Sequence, residues 1–158
     1  MTTKKALIIG GGAFALIVIA VAIGVVLFLS HVAKDVEGVV VTVNGPTDVV
    51  VGQTFDLEII VKNERSGKVL LLSDVDIAEE YLAGFTVSSV KPTPKSNTHV
   101  PIDNSRSYTF SVSISPGTSQ SFIYTLRAEK AGIYRGDVDV CEGMQFITGM
   151  AQTVVKEK

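Results

Sequence analysis

Thr54-Phe55-Asp56-Leu57-Glu58-Ile59-Ile60-Val61-Lys62 is the stretch whose reading decides the fold. Phe55, Leu57, Ile59 and Val61 fall on one side of an extended chain, and Asp56, Glu58 and Lys62 on the other. A period of two is that of a strand with one face in a core and one in water. The stretch is closed by turn formers at both ends, Gly52-Gln53 before it and Asn63-Glu64-Arg65-Ser66-Gly67 after it.

The same signature recurs outward. On the N-terminal side, the β-branched runs 39–44 and 49–51 are separated by Asn44-Gly45-Pro46. On the C-terminal side, 68–77 and 85–90 are strand candidates flanking a single helical turn, Ala78-Glu79-Glu80-Tyr81-Leu82, which Gly84 ends. Tyr108, Phe110, Val112 and Ile114 then alternate with polar residues. So do Phe122, Tyr124, Leu126 and Ala128, and then Tyr134, Gly136, Val138 and Val140. Segments 145–148 and 153–155 are the last candidates. The polar stretch 91–105, with Pro92, Pro94 and Pro101, reads as a long loop. Many short strands with regular turns and no long amphipathic helix predict an antiparallel sandwich, since parallel strands need crossover helices. Phe55, Leu57, Ile59, Val61, Phe110, Val112, Tyr124, Leu126 and Tyr134 are the expected core.

Residues 6–29, ALIIGGGAFALIVIAVAIGVVLFL, explain a mean hydropathy of +0.37 in a chain of 158 residues. No charge lies between Lys5 and Lys34. At about 1.5 Å per residue a helix of this length reaches across a ~30 Å hydrocarbon core. The run is longer than the ~7–15 apolar residues of a signal peptide. It ends in Ser30-His31-Val32-Ala33-Lys34, which supplies no small-x-small cleavage site. Lys4 and Lys5 precede it, while Asp35 and Glu37 join Lys34 after it, so the positive-inside rule places residues 1–5 in the cytoplasm and 31–158 outside. The expected organisation is a cytoplasmic N-terminus (1–5), a transmembrane helix (6–30), a juncture (31–38), a mainly β sandwich (39–155) and a short tail (156–158). The expected location is the plasma membrane, crossed once. On a helical wheel Gly10, Ala13, Ala20 and Gly24 share one side, the kind of small-residue stripe that lets transmembrane helices pack closely.

Gly45-Pro46, Gly52-Gln53-Thr54-Phe55, Val61-Lys62-Asn63, Ser115-Pro116-Gly117-Thr118-Ser119 and Ala131-Gly132-Ile133-Tyr134 together resemble the extracellular immunoglobulin-like modules of prokaryotic surface proteins, of the cell-adhesion-related and surface-repeat type. The resemblance covers about residues 39–140. It implies an immunoglobulin-like β-sandwich that scaffolds, spaces or binds. It also implies a tyrosine corner, with Gly132 in the turn and Tyr134 bonding back to nearby backbone. The inter-sheet disulfide of antibody domains is impossible with a single cysteine, Cys141.

Little catalytic chemistry is available. The chain has no Trp, two His and a net charge of −2, which argues against a nucleic-acid partner. Cys141 reads as a small core residue, with an intermolecular disulfide as its alternative. His99, in the proline-rich stretch, and His31 form no spaced metal pair. Asp74-Val75-Asp76 with Glu79-Glu80, Asp103-Asn104, and Asp137-Val138-Asp139 are the acidic clusters. Each Asp-x-Asp puts two carboxylates on one strand face, as a calcium site needs, and a solvated face needs no more. No cofactor and no catalytic residue is expected.

The expected function is that of a non-catalytic accessory or interaction subunit. It would present the sandwich outside a membrane within a larger assembly, with sheet edges and the 91–105 stretch as contacts. The expected partners are the lipid bilayer and other membrane or surface proteins, further copies of this chain included. The alternative is a pilin-like or surface-layer subunit. Lys4-Lys5-Ala6 resembles an archaeal-type pilin processing site, although the Gly at the cleavage position and the helix-start Glu of bacterial-type pilins are absent.

Overall fold

The computed structural model describes residues 17–25, 27 and 36–158. The chain divides into two compact units, residues 1–34 and 35–158. In the first, residues 17–25 and 27 are helical (α1), with Ile17, Val18, Ile19, Val21, Ile23 and Val25 all exposed. Among the described residues no helix is long and apolar enough to cross a membrane. Much of the 6–29 run, and the 31–35 part of the juncture, lie outside them.

The second unit is an immunoglobulin-like β-sandwich. Its strands are β1 (Val39–Asn44), β2 (Asp48–Val50), β3 (Thr54–Asn63), β4 (Leu70–Ala78), β5 (Phe85–Lys91), β6 (Ser96–Val100), β7 (Ser105–Ile114), β8 (Ser119–Ala128), β9 (Gly132–Glu142) and β10 (Gln145–Lys156). A single helical turn, α2 (Glu79–Leu82), follows β4. One sheet has the order β1-β3-β8-β5 and the other β2-β10-β9-β4-β7-β6. All pairs are antiparallel except β2 with β10. That exception follows from Asn44-Gly45-Pro46. Pro46 cannot donate to a ladder, so the pairing of β1 with β3 ends there and the chain crosses to the other sheet. The Thr153 hydroxyl fixes the crossing by donating to Pro46 O at 3.1 Å.

The alternation in β3 does what its pattern requires: Phe55, Leu57, Ile59, Val61 and Asn63 are buried, one after another. The four apolar ones join one core with Leu72, Val75, Phe110 and Val138 of the other sheet. Across the gap Phe110 packs on Phe122 (centroids 4.6 Å apart) and Tyr108 on Tyr124 (5.0 Å, edge-on). Edge-on rings of this kind add to area burial by matching the positive ring edge to the negative face.

Several expectations are corrected. The stretch 91–105 is not a loop, for it contains β6, paired with β7 from Ser96↔Thr109 to Val100↔Ser105. Ser96-Asn97-Thr98-His99 is exposed on both faces, so no apolar alternation could announce it. Segments 145–148 and 153–155 are parts of one strand, β10, which also takes in Lys156 from the expected tail. Val112 and Tyr134 only flank the core. Ser111 has φ 57, and the β4–β7 register slips between Leu72 and Asp74, so a bulge turns this part of β7 outward. The juncture also reaches too far: Val36 is buried and Gly38 is held to the sandwich.

Candidate functional site

Two places on the sandwich bring polar chemistry together. The first is a groove of about 630 Å³ on the side where the edge strands β5 and β6 face each other. Its walls include the apolar Leu82, Phe85, Val87, Val90 and Tyr108. At one end Arg106 Nη2 donates to Glu79 Oε1 at 3.0 Å, and His99 Nδ1 lies 3.3 Å from the same oxygen. Near Thr93 and Pro94 the connection between β5 and β6 borders it.

The local sequence explains why the groove is open. β5 is an edge strand whose register slips between Val87 and Ser89, and Pro92 follows its last residue. Bulges and prolines are the usual devices that stop an edge from pairing with another sheet. β6 is short and polar, so it covers none of the apolar wall. Of the groove residues, the acidic Glu79 is the charged one marked in the sequence, and His99 beside it lies outside the lining. Val87, Val90 and Tyr108 carry ordinary strand signals, and nothing in them distinguishes a core wall from a groove wall.

The second place is the outer face of the larger sheet. The register sets Asp76 beside Asp139 and Asp74 beside Cys141. The alternation of β9 adds Asp137 to the same face. The two Asp-x-Asp pairs, 63 residues apart in the chain, therefore form one acidic patch. Burial pushes the Asp76 carboxyl up, partly offset by the Ser107 hydroxyl, and Asp74 and Asp103 raise it further. Burial also raises Asp139, whose Oδ1 accepts from Thr148. One oxygen of Asp76, Oδ1, is buried without a hydrogen-bond partner. Among the described residues no group of three or more Asp, Glu, His or Cys is arranged to hold a metal ion.

Cys141 is half-buried in this patch, with Sγ 3.7 Å from Asp76 Oδ2. Burial and the carboxylates of Asp76, Asp139 and Asp74 push its thiol up, which suppresses the thiolate needed for nucleophilic attack.

Tyr134 donates its hydroxyl to Lys130 O at 3.0 Å. Gly132 opens β9 and is not among the positive-φ residues. A Cβ on it would stand 3.1 Å from the Tyr134 hydroxyl, so its role is to leave room. Of the small residues on the apolar run, Ala20 and Gly24 are helical and exposed, and a Cβ on Gly24 would meet open space. Gly10, Ala13 and His31 lie outside the described residues.

No family model matches the chain, and no curated protein does. Solved structures share its fold. A cohesin module from a Clostridium perfringens family 33 glycoside hydrolase is 16% identical, with a TM-score of 0.51 over 79% of this chain and 100% of that one. The CARDB domain of a Pyrococcus furiosus protein is 16% identical, with a TM-score of 0.50 over 77% and 97%. A protein described as catalysing macrocyclization in alchivemycin A biosynthesis is 10% identical, with a TM-score of 0.50 over 79% and 95%. At such identities the likeness is one of fold, and the same sandwich serves unrelated tasks.

Proposed function

We propose that this chain is a non-catalytic interaction subunit, tethered by a single transmembrane helix over residues 6–30, with its sandwich on the extracytoplasmic side of the plasma membrane. The observation that carries the interaction role is the β5–β6 groove. It has an apolar wall, a charged end at Glu79 and Arg106, and two sheet edges running along it. An extended polypeptide segment fits such a place. Alternate apolar side chains would enter the groove, its backbone would meet the β6 edge, and a charged residue would engage the Glu79–Arg106 pair. The fold neighbours include a cohesin module and a CARDB domain, which are sandwiches of the same kind. The unbroken apolar run and the two lysines before it support the tether and its orientation.

The test is co-purification from mild detergent with partners identified by mass, on the full chain and on a Val87→Asp, Arg106→Glu variant. A partner captured by the first and lost from the second supports the groove. Equal recovery from both refutes it. N-terminal sequencing of the same material tests the tether: Met1 intact fits an anchor, and a start at residue 6 or 7 favours a pilin-like subunit.

A further inference from the structure

One end of the sandwich carries four exposed apolar side chains, and it is the end at which the chain arrives from the apolar run. Val69 and Leu71 flank Leu70, the first residue of β4, Met144 sits in the β9–β10 turn, and Phe146 lies on the outer sheet face opposite Cys141. Leu71 and Met144 are 61% and 54% exposed, a cost in water that nothing else in the sandwich relieves. The two segments are fastened side by side: Glu142 Oε1 accepts from Leu71 N at 3.0 Å, and Ser73 Oγ accepts from Gly143 N at 3.3 Å.

Arg65 ties the incoming chain to this same end. Its guanidinium grips both oxygens of Glu142, at 3.0 and 2.6 Å, while its Nε donates to Glu37 O at 2.9 Å. Glu64 N donates to Gly38 O at 2.8 Å. Gly38 has φ 71, and a Cβ on it would stand 2.9 Å from Arg65 Cγ, so the approach depends on glycine. From residue 30, the end of the proposed anchor, to Val36 there are six Cα steps, which at about 3.4 Å each reach no more than about 20 Å.

We infer that the end bearing Val69, Leu71, Met144 and Phe146 rests on the lipid surface. This rests on the transmembrane anchor proposed above. The tether is too short to carry this end far from the bilayer, and the apolar side chains suit the boundary between headgroups and acyl chains, where an interfacial surface settles about 5–10 Å deep. The consequence is an orientation: the rest of the sandwich stands away from the membrane.

The absence of Trp from the chain provides the experiment. Full-length Met144→Trp and Ile102→Trp chains are reconstituted in vesicles of phosphatidylcholine and phosphatidylglycerol, with and without brominated phosphatidylcholine. Ile102 is 94% exposed in the β6–β7 connection at the far end, which makes it the matched control. The Met144→Trp chain should emit to the blue and be quenched by brominated lipid, and the Ile102→Trp chain should do neither. Adding Leu71→Asp and Phe146→Asp to Met144→Trp should abolish the shift and the quenching while the chain still pellets with vesicles. Pelleting with no difference between positions 144 and 102 overturns the lipid contact and leaves the anchor standing. Failure of every chain to pellet overturns the anchor, and the contact with it.

Discussion

The ring of Tyr134 occupies the space that a side chain on Gly84 would need: a Cβ there would overlap the Tyr134 Cε2, Cζ and Cδ2 atoms. Phe85, next to Gly84, packs edge-on against the same ring at 5.1 Å and also meets Phe55 and Tyr81. Gly84, two residues past α2, thus seats a side chain from β9 that lies fifty residues further on in the chain. Gly84→Ala should lower stability by about 1–3 kcal/mol through overpacking. In urea melts the loss should shrink markedly in a Tyr134→Ala background, because the clash has gone. Additive losses would mean that the two residues do not compete for one space.

Two tyrosine hydroxyls in the sandwich should answer the same substitution with opposite signs. Tyr134 donates to Lys130 O in an exposed setting, where water can replace it. Tyr134→Phe is therefore expected to cost about 0.5–1.5 kcal/mol at most. The Tyr124 hydroxyl is buried between the sheets without a partner. Removing an unpaired buried polar group relieves its desolvation, so Tyr124→Phe should leave the melting temperature unchanged or raise it. A clear loss on Tyr124→Phe would show that the hydroxyl has a partner.

Asn63, fully buried at the end of β3, joins three segments. Its Nδ2 donates to Lys68 O and Ile114 O, each at 2.9 Å, and its Oδ1 accepts from Arg65 N at 3.1 Å. Asn63→Asp should be worse than Asn63→Ala. A carboxylate keeps the acceptor but cannot donate, and it faces two carbonyls in a dry site. Orphaning buried groups costs about 1–3 kcal/mol each, so either variant should lower the denaturant midpoint well beyond a surface change. If Asn63→Asp matches the wild type, this reading of the bonds is wrong.

The sandwich was legible because its inner strands write their environment into a period of two. β3, β8 and β9 each bury one face, and the apolar alternation maps that face directly. β6 escaped because an edge strand exposed on both sides has no face to encode. The split of 145–155 had a similar cause: Gly149 sits inward, and its missing side chain makes room for Val43 and Val41 of β1, so the apolar signal lapses just where the sheets come closest. The spacing of Tyr134 to Gly132 is visible in the sequence, but its seat on Gly84 depends on tertiary contact. The groove was illegible because Val87 and Tyr108 would read alike in a closed core.

The acidic face should make stability depend on pH in a definite direction. Asp76 has a folded value raised above its ordinary 3.8, chiefly by burial. A raised carboxyl contributes stability that is fully present below the unfolded value and is lost as pH rises through the folded one. At neutral pH the ionised Asp76, with Oδ1 unpaired, is therefore a liability. Asp76→Asn should raise the melting temperature at pH 7, and also relax Asp139, which Asp76 helps to raise. The gain should fade below pH 3.8, where the native carboxyl is protonated. Glu142, held low first by its bond to Arg65, acts in the opposite sense, losing its contribution as pH falls through its folded value. Because both chains retain Glu142, it cancels in the difference between them. Calorimetry of wild type and Asp76→Asn at pH 7 and pH 3.5 checks this. A variant less stable than wild type at pH 7 would mean that the carboxylate is needed ionised, as it would be if the patch held a cation. A rise in the wild-type melting temperature on adding calcium, absent from the variant, would identify that cation.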